Sequence, residues 1–420
     1  MNAQFFEEPL LEQVKGSPAV VNVGAVGTRS GIDLLTRWLR KLAGRIPAHN
    51  PDALHTSAWP GFQSTFGARL ETEPTASIVL GSTAIKNAAS ISNRTEAVRT
   101  TVQLYENSIL EHLRTEEVRP DVWCVVIPEI VFTYGRPEVV GPKETTKSTL
   151  MPEKMAVGFL KGGSLFPELA KDAETYLFVK NFHHQLKAQL LDKEAVIQIV
   201  RETTLDPTIE LDNFGNPKRS LQEPAKVAWN FATTLYFKAR GQPWQLADVR
   251  PGVCYVGLAF KRDPSPADRV EACCAAQMFL NSGNGVVFRG ALGPWYSSER
   301  GDFHLNEAAA ADLIAQVSRA YTKDHGKPPE ELFIHGRQRF SDEEWSGFQS
   351  AVPKKTKLVG VRIRATQDLR LFRPDVEVPV LRGTSVSVSK REGYLWTTGL
   401  RTPSENVSRI RDAQAHLSWH

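Results

Sequence analysis

Cysteine is scarce: the chain has four in 420 residues. Cys124 and Cys254 sit inside the apolar runs DVWCVVIP and GVCYVGLAF and read as buried small hydrophobes. Cys273 and Cys274 are adjacent and have no C-x-x-C partner. That spacing argues against a structural zinc and a disulfide framework, and suits a reducing compartment. The sequence also lacks any apolar run of the roughly 18 residues that a membrane-spanning helix needs. Its start, MNAQFFEEPLLEQ, carries acids where a secretion leader carries bases, so the expected location is the cytoplasm. Neither an internal repeat nor a low-complexity tract is present. Charge of one sign is not in large excess: the formal net charge is +4 and the pI about 8.8. This gives only a weak pull towards polyanions.

What is present is an ordinary globular composition, 41% apolar and 23% charged. The length implies two domains, or three, at about 100–200 residues each. Strand and helix signals alternate, the mark of an α/β chain. SPAVVNVGAVGT reads as strand and turn, and SGIDLLTRWLRKLAG as a helix by its apolar spacing. Residues 50–67 read as loop, and ETTKSTLMPEK as a polar, mobile segment. ASIVLG, DVWCVVIPEI and AVIQIV read as strands, the second so continuously apolar that both its faces should be covered. AETYLFVKNFHHQLKAQLLDKE runs into a helix, and EPAKVAWNFATTLYFKARG is a helix ending at Gly241. A break in GQPWQLADVRPG divides 1–248 from 249–420. The second part reads strand (PGVCYVGLAFKR), strand (GVVFRG), helix (NEAAAADLIAQVSRAYTKD), strand (ELFIHG), helix (SDEEWSGFQSA) and strands (KLVGVRIRA, TSVSVSK, YLWTTGL). That order is similar to an RNase H-like layout.

Three groups of residues could carry chemistry. His183 and Lys187 are four apart and share one helix face. Gln198 lies on the next strand and Lys238 near the end of the next helix. Two lysines, a histidine and an amide converging on one point would neutralise and orient a doubly charged phosphate. The same spacing suits a solvated helix face, and by itself favours that reading. Gly24, Gly27 and Gly31 in VNVGAVGTRSG suit either a phosphate-cradling turn or a tight strand-to-helix turn. They do not form G-x-G-x-x-G, so the tight turn is the better reading. The run VPKKTKLVGVRIRATQDLRLFRP holds Lys354, Lys355, Lys357, Arg362, Arg364, Arg370 and Arg373 against one Asp. Arg362 and Arg364, two apart, would point to one face of a strand and suit phosphate backbones. A charged, self-protecting sheet edge explains them equally well.

One expected group is missing. A two-metal nuclease on an RNase H-like sheet needs carboxylates on the first and middle strands. The first strand, Tyr255 to Phe260, has none, and the middle strand, Phe333 to Arg337, has none. Asp342, Glu343 and Glu344 open a helix, where capping is their simplest role. An active nuclease would have to use relocated carboxylates such as Asp302, Glu343 and Glu344. A nucleotide-using metabolic enzyme built around Gly24 and Gly27 ranks last.

The stretches DVWCVVIPE, HHQLKAQLL, LYFKARGQPWQL, RPGVCYVGLAFK, ACCAAQMFLNSGNGVVFRGALGPWY, FIHGRQRFSDEEW and LRGTSVSV resemble the short prokaryotic Argonautes. The resemblance runs from VGAVGT to YLWTTGL. It implies a Rossmann-like MID domain within 1–248 and an RNase H-like PIWI domain over 249–420. His183, Lys187, Gln198 and Lys238 match the family's pocket for the guide 5′-phosphate, beside which a Mg²⁺ is expected. Ala259 and Arg337 stand where catalytic members carry aspartates, which implies a PIWI domain that does not cut. The resemblance further implies an RNA guide and a single-stranded DNA target, bound along a basic cleft. It implies a heterodimer with an APAZ-containing partner bearing a TIR or sirtuin-type domain that hydrolyses NAD⁺ on target recognition, as antiviral defence by abortive infection. Two departures stand out. The segment from Pro9 to Val21 is shorter than in the family, and the family pattern continues beyond RTPSENVSRIRDAQAHLSWH. The PIWI domain is therefore expected to be short at its C-terminus, whether through truncation, an interrupted gene or completion by the partner.

Overall fold

The computed structural model describes residues 17–48, 58–136, 139–142, 145–162, 167–178, 180–219, 222–243, 250–262, 272–279, 285–297, 299, 301–366, 369–372 and 380–397. Two compact units contain them, one up to Pro243 and one from Trp244 to Leu400. The break expected between 248 and 249, the segment 9–16, Arg373 and the C-terminal stretch 398–420 lie outside the described residues.

The first unit is built on four parallel strands: β1 (Val23–Gly27), β2 (Ala76–Val79), β3 (Val122–Ile127) and β4 (Ile197–Arg201). They lie in the order β2-β1-β3-β4. Every residue of β1 and β3 is buried, as the unbroken apolar run of β3 predicts. Helix α1 (Arg29–Ala43) buries Ile32, Leu35, Trp38, Leu39 and Leu42, the stripe of an amphipathic helix. Helix α2 (Arg94–Thr115) has no counterpart in the sequence reading. It buries Val98, Val102, Tyr105 and Ile109 and is capped by Asn93. Its stripe is narrow and interrupted by threonine and glutamate, so the periodicity is faint.

Two loop expectations need correction. Trp59 and Phe62 are fully buried and a short helix runs Phe62–Phe66. Phe66 stacks on Tyr236 at 4.5 Å, and Trp59 meets Trp229 edge-on at 4.9 Å. Burying each such ring contributes about 1.5–3 kcal/mol, which outweighs the loop-like Pro and Gly content nearby. The polar segment expected to be mobile is anchored. Thr149 N–H, Thr149 Oγ1 and Leu150 N–H donate to the Glu96 carboxylate at 3.1, 2.6 and 3.2 Å, and a helix begins at Glu153. Helix α3 (Phe182–Gln189) is shorter than the apolar pattern suggests, because Asn181 stops the preceding turn and caps it, accepting from His184 N–H at 3.0 Å. Helix α4 (Pro224–Lys238) starts with proline in its first turn and ends with a lysine at its negative pole.

The second unit carries a five-stranded sheet. Strands β5 (Val253–Arg262), β6 (Ala272–Phe279) and β7 (Gly285–Gly293) run antiparallel in succession. Helix α5 (Glu307–His325) leads to β8 (Glu331–Gly336), parallel to β5. Helix α6 (Asp342–Ala351) leads to β9 (Lys357–Arg362), parallel to β8. The order β9-β8-β5-β6-β7 is the RNase H-like arrangement. Leu313, Ile314 and Val317 of α5 and Phe348 of α6 pack on Val256, Met278, Leu332 and Ile334 of the sheet. β6 escapes the sequence reading because its ACCAAQMF run is small-residue-rich and weak in strand preference. A hairpin of β10 (Ser385–Ser389) and β11 (Glu392–Leu395) pairs with itself alone among the described residues. Both units bear out the α/β expectation. Cys124 and Cys254 are fully buried, and burial pushes each thiol up to about 12.

Candidate nucleic-acid site

The four dispersed residues of the first group meet. α3 buries Phe182 and Leu186, which turns His183 and Lys187 together onto its open side. β4 presents Gln198 beside the end of α4. There the Lys238 ammonium donates to Gln198 Oε1 at 2.7 Å and to the Ile197 carbonyl at 2.5 Å. Partial burial pushes the Lys238 pKa down to about 8, helped by Lys187 and opposed by Cys124. The His183 imidazole is held below its ordinary range, first by partial burial, then by Lys187, His184 and Lys238. These mutual effects place the three basic groups within electrostatic reach of one another. A bound anion would relieve this repulsion.

His183 and Gln198 also line a cavity of about 770 Å³. Neither Lys187 nor Lys238 is in the lining, but Lys238 is bonded to Gln198, which is. Arg136, Arg201 and Arg219 line it too, with Phe132 and Asn230, and no Asp or Glu is in the lining among the described residues. The Arg201 guanidinium lies 3.5 Å from the Phe132 ring centroid, and Arg136 sits 4.5 Å from the same ring. Arg201 is oriented by Glu129, which takes its Nε at 3.1 Å and its Nη2 at 2.5 Å. Arg219 donates to the Thr204 hydroxyl at 2.7 Å, and its pKa is lowered first by burial and then by Arg201.

The sequence reading missed these arginines, yet a signal existed. Ile127 at the end of β3 pairs with Arg201 at the end of β4, and Glu129 follows two residues later. Polar residues just past the carboxyl ends of adjacent parallel strands mark the ligand side of such sheets.

The Mg²⁺ expected beside the guide 5′-phosphate would take its oxygens from the phosphate and from water, since the described lining offers no side-chain carboxylate. It takes oxygen ligands, carboxylates foremost. The cavity lining supplies no carboxylate, and no group of three or more His, Cys, Asp or Glu placed for a metal occurs among the described residues.

The glycine turn proves structural. Thr28 caps α1, accepting from Gly31 N–H at 2.9 Å, and donates to the Glu202 carboxylate at 2.7 Å. A carboxylate therefore occupies the helix terminus where a phosphate would bind. A Cβ on Gly24 would sit 2.7 Å from both Pro120 and Trp123, which explains the glycine by close packing.

In the second unit, Ala259 and Arg337 line one cavity of about 450 Å³. The relocated carboxylates do not form a metal cluster. Glu344 is 2% exposed, closes a capping box with Ser341, and accepts from Leu305 N–H at 3.0 Å. His304 bridges Glu344 at 2.8 Å and Asp302 at 3.1 Å, whereas Glu343 is exposed.

Of the basic run, Lys357 is paired with Glu331 at 3.0 Å. Lys354, Lys355, Arg362, Arg364 and Arg370 are exposed, without a carboxylate partner among the described residues. The strand stops at Arg362, so Arg364 lies beyond it and the shared-face argument for that pair fails. β9 is also an edge strand, where charge protects against unwanted pairing.

No family model matches the chain, and no curated protein matches it. Solved structures similar to it include Aa-Ago with externally bound siRNA, at 15% identity and TM-score 0.44, covering 91% of this chain and 40% of that one. A Clostridium butyricum Argonaute bound to a guide DNA and a 19-mer target DNA is similar at 14% identity and TM-score 0.41, covering 84% and 36%. Drosophila Piwi is similar at 13% identity and TM-score 0.37, covering 75% and 28%. The chain spans less than half the length of each. No described helix is long and apolar enough to cross a membrane.

Proposed function

We propose that the chain holds a nucleic-acid guide by its 5′-phosphate and presents it to a target strand without cutting that target. One observation carries this reading: His183, Lys187, Gln198 and Lys238, spread over three elements, converge beside a cationic cavity that lacks an acid in its described lining. The charges neutralise the phosphate, and Gln198, tied to Lys238, fixes its position. The cavity far exceeds a phosphate in size and accommodates the terminal nucleoside, with Asn230 and the guanidinium-stacked Phe132 as polar and aromatic contacts. Exposed Lys354, Lys355, Arg362 and Arg364 are assigned to backbone contacts, which carry affinity and not sequence.

Ala259 and Arg337 support the non-cutting assignment, since neither residue ligates a metal and Arg337 repels one. The finer assignments rest on the sequence resemblance. They are an RNA guide, a DNA target, and a heterodimer in which an APAZ-containing TIR or sirtuin-type partner consumes NAD⁺ on target recognition. The competing reading, a nuclease using Asp302, Glu343 and Glu344, has the His304 bridge and the capping role of Glu344 against it.

Nucleic acid that purifies with the chain should carry a 5′-phosphate and be lost in Lys187→Ala/Lys238→Ala. Retention in that variant sinks the pocket. Product from a matched guide and target in Mg²⁺ or Mn²⁺ sinks the non-cutting assignment.

A further inference from the structure

The cavity of the first unit carries more positive charge than a monophosphate needs. A terminal phosphate brings about two negative charges. Lys238 is bonded to Gln198 of the lining, and Lys187 acts through space on Lys238 and His183. These two lysines already match that charge. Arg136, Arg201 and Arg219 then line the same cavity, and no carboxylate does among the described residues. Arg201 is balanced by Glu129, at 2.5 Å. Glu129 also acts on Arg219, but burial and Arg201 outweigh it, so the Arg219 pKa stays lowered. Arg136 is exposed and has no carboxylate partner among the described residues.

Both unbalanced guanidinium groups are held in place. Arg219 donates to the Thr204 hydroxyl at 2.7 Å. Arg136 lies over the Phe132 ring, 4.5 Å from its centroid. Phe182 N–H donates to the Gly135 carbonyl at 2.7 Å, which joins the residue before Arg136 to the residue before His183. A Cβ on Gly135 would sit 2.8 Å from the Phe182 Cβ, so glycine lets these two segments meet. The backbone thus brings Arg136 to the histidine end of the cavity. The volume of about 770 Å³ lies towards the top of the roughly 300–1,000 Å³ usual for small-molecule sites, and accommodates a chain of phosphates together with a nucleoside.

We propose that this cavity binds a strand whose 5′ end carries a triphosphate, with Arg136 and Arg219 taking the two phosphoryl groups beyond the first. The inference rests on the reading of this cavity as the guide 5′ pocket, and names the class of guide. That class is an unprocessed transcript end, which keeps its initiating triphosphate, in place of the monophosphate end that a nuclease leaves. Guanidinium forks pair with the non-bridging oxygens of each added group, and such charge-assisted bonds are stronger than neutral ones. The added negative charge also offsets the repulsion that Arg201 exerts on Arg219.

The test titrates the full chain by competition anisotropy at fixed ionic strength. Three RNA oligonucleotides of one sequence compete, ending in a 5′-triphosphate, a 5′-monophosphate and a 5′-hydroxyl. The triphosphate should bind at least about tenfold more tightly than the monophosphate. That ratio should fall to about one in Arg136→Gln/Arg219→Gln, whatever loss the two ends share. Should the double variant be unfolded by circular dichroism, Arg136→Gln alone, at an exposed position, should lower the ratio about threefold or more. The proposal is overturned by a monophosphate that binds as tightly as the triphosphate, or by a ratio that survives in the arginine variants. In either case a monophosphate still favoured over the hydroxyl end leaves the guide pocket standing. If neither phosphorylated end binds better than the hydroxyl end, the pocket reading falls, and this inference with it.

Discussion

The half-buried ammonium of Lys238 makes guide binding sensitive to pH in a direction that can be worked out. Its pKa falls from 10.5 to about 8, chiefly through burial and then through Lys187. The charge of a bound dianionic phosphate offsets both causes and returns the group towards its ordinary value. Above about pH 8 the empty pocket holds a neutral lysine, so binding must take up a proton. Affinity is therefore fully present below about 8 and lost as pH rises. Between pH 7 and pH 9 the linkage amounts to roughly a tenfold rise in Kd. The phosphate is not the source, because its second pKa is about 6 and it is dianionic throughout. Fluorescence anisotropy with a labelled 5′-phosphorylated oligonucleotide, at fixed ionic strength, reads the effect. The same strand without its phosphate should bind weakly and independently of pH. Lys238→Met should weaken binding at pH 7 by about 10- to 150-fold, the equivalent of about 1.5–3 kcal/mol, and should flatten the profile. A flat profile in the unaltered protein, or an undiminished slope in Lys238→Met, would refute the reasoning.

Three further outcomes follow from the geometry. Glu129→Gln leaves Arg201 and Arg219 facing each other without their shared carboxylate, and should lower the unfolding free energy by about 1–3 kcal/mol in a urea titration. The His304 pKa is raised in the folded protein, so its contribution is complete below the unfolded value near 6.5 and is lost as pH rises through the folded value. Thermal scans should show the second unit more stable at pH 6 than at pH 8, and His304→Gln should remove that difference. Gly24→Ala forces a Cβ to 2.7 Å from Pro120 and Trp123, and should destabilise the first unit by about 1–3 kcal/mol without touching the phosphate pocket.

What could be read in advance divides along a physical line. The strands β3 and β5 and the helices α1 and α5 announce themselves because each carries an unbroken apolar run or a regular stripe, and burial is what selects them. Helix α2 and strand β6 do not, because the first mixes threonine and glutamate into its buried side and the second is mostly alanine and cysteine. Trp59 and Phe62 were hidden by their neighbours: proline and glycine set the local conformation, but aromatic burial set where the segment goes. The phosphate group was legible only as residue types at helical spacing, which a solvated helix would show equally. The Lys238 bond to Gln198 ties two of the four residues across elements, while His183 and Lys187 stay exposed on α3, as they would on a solvated face. Arg136, Arg201 and Arg219 belong to the same cavity yet share no spacing in the chain. They are brought together by the sheet, through Arg201 at the end of one strand and Glu129 just past the end of its neighbour. Pairing of parallel strands, a long-range fact, thus sets Arg201 and Glu129 side by side. Local spacing in the chain pairs only His183 with Lys187, on a single helix.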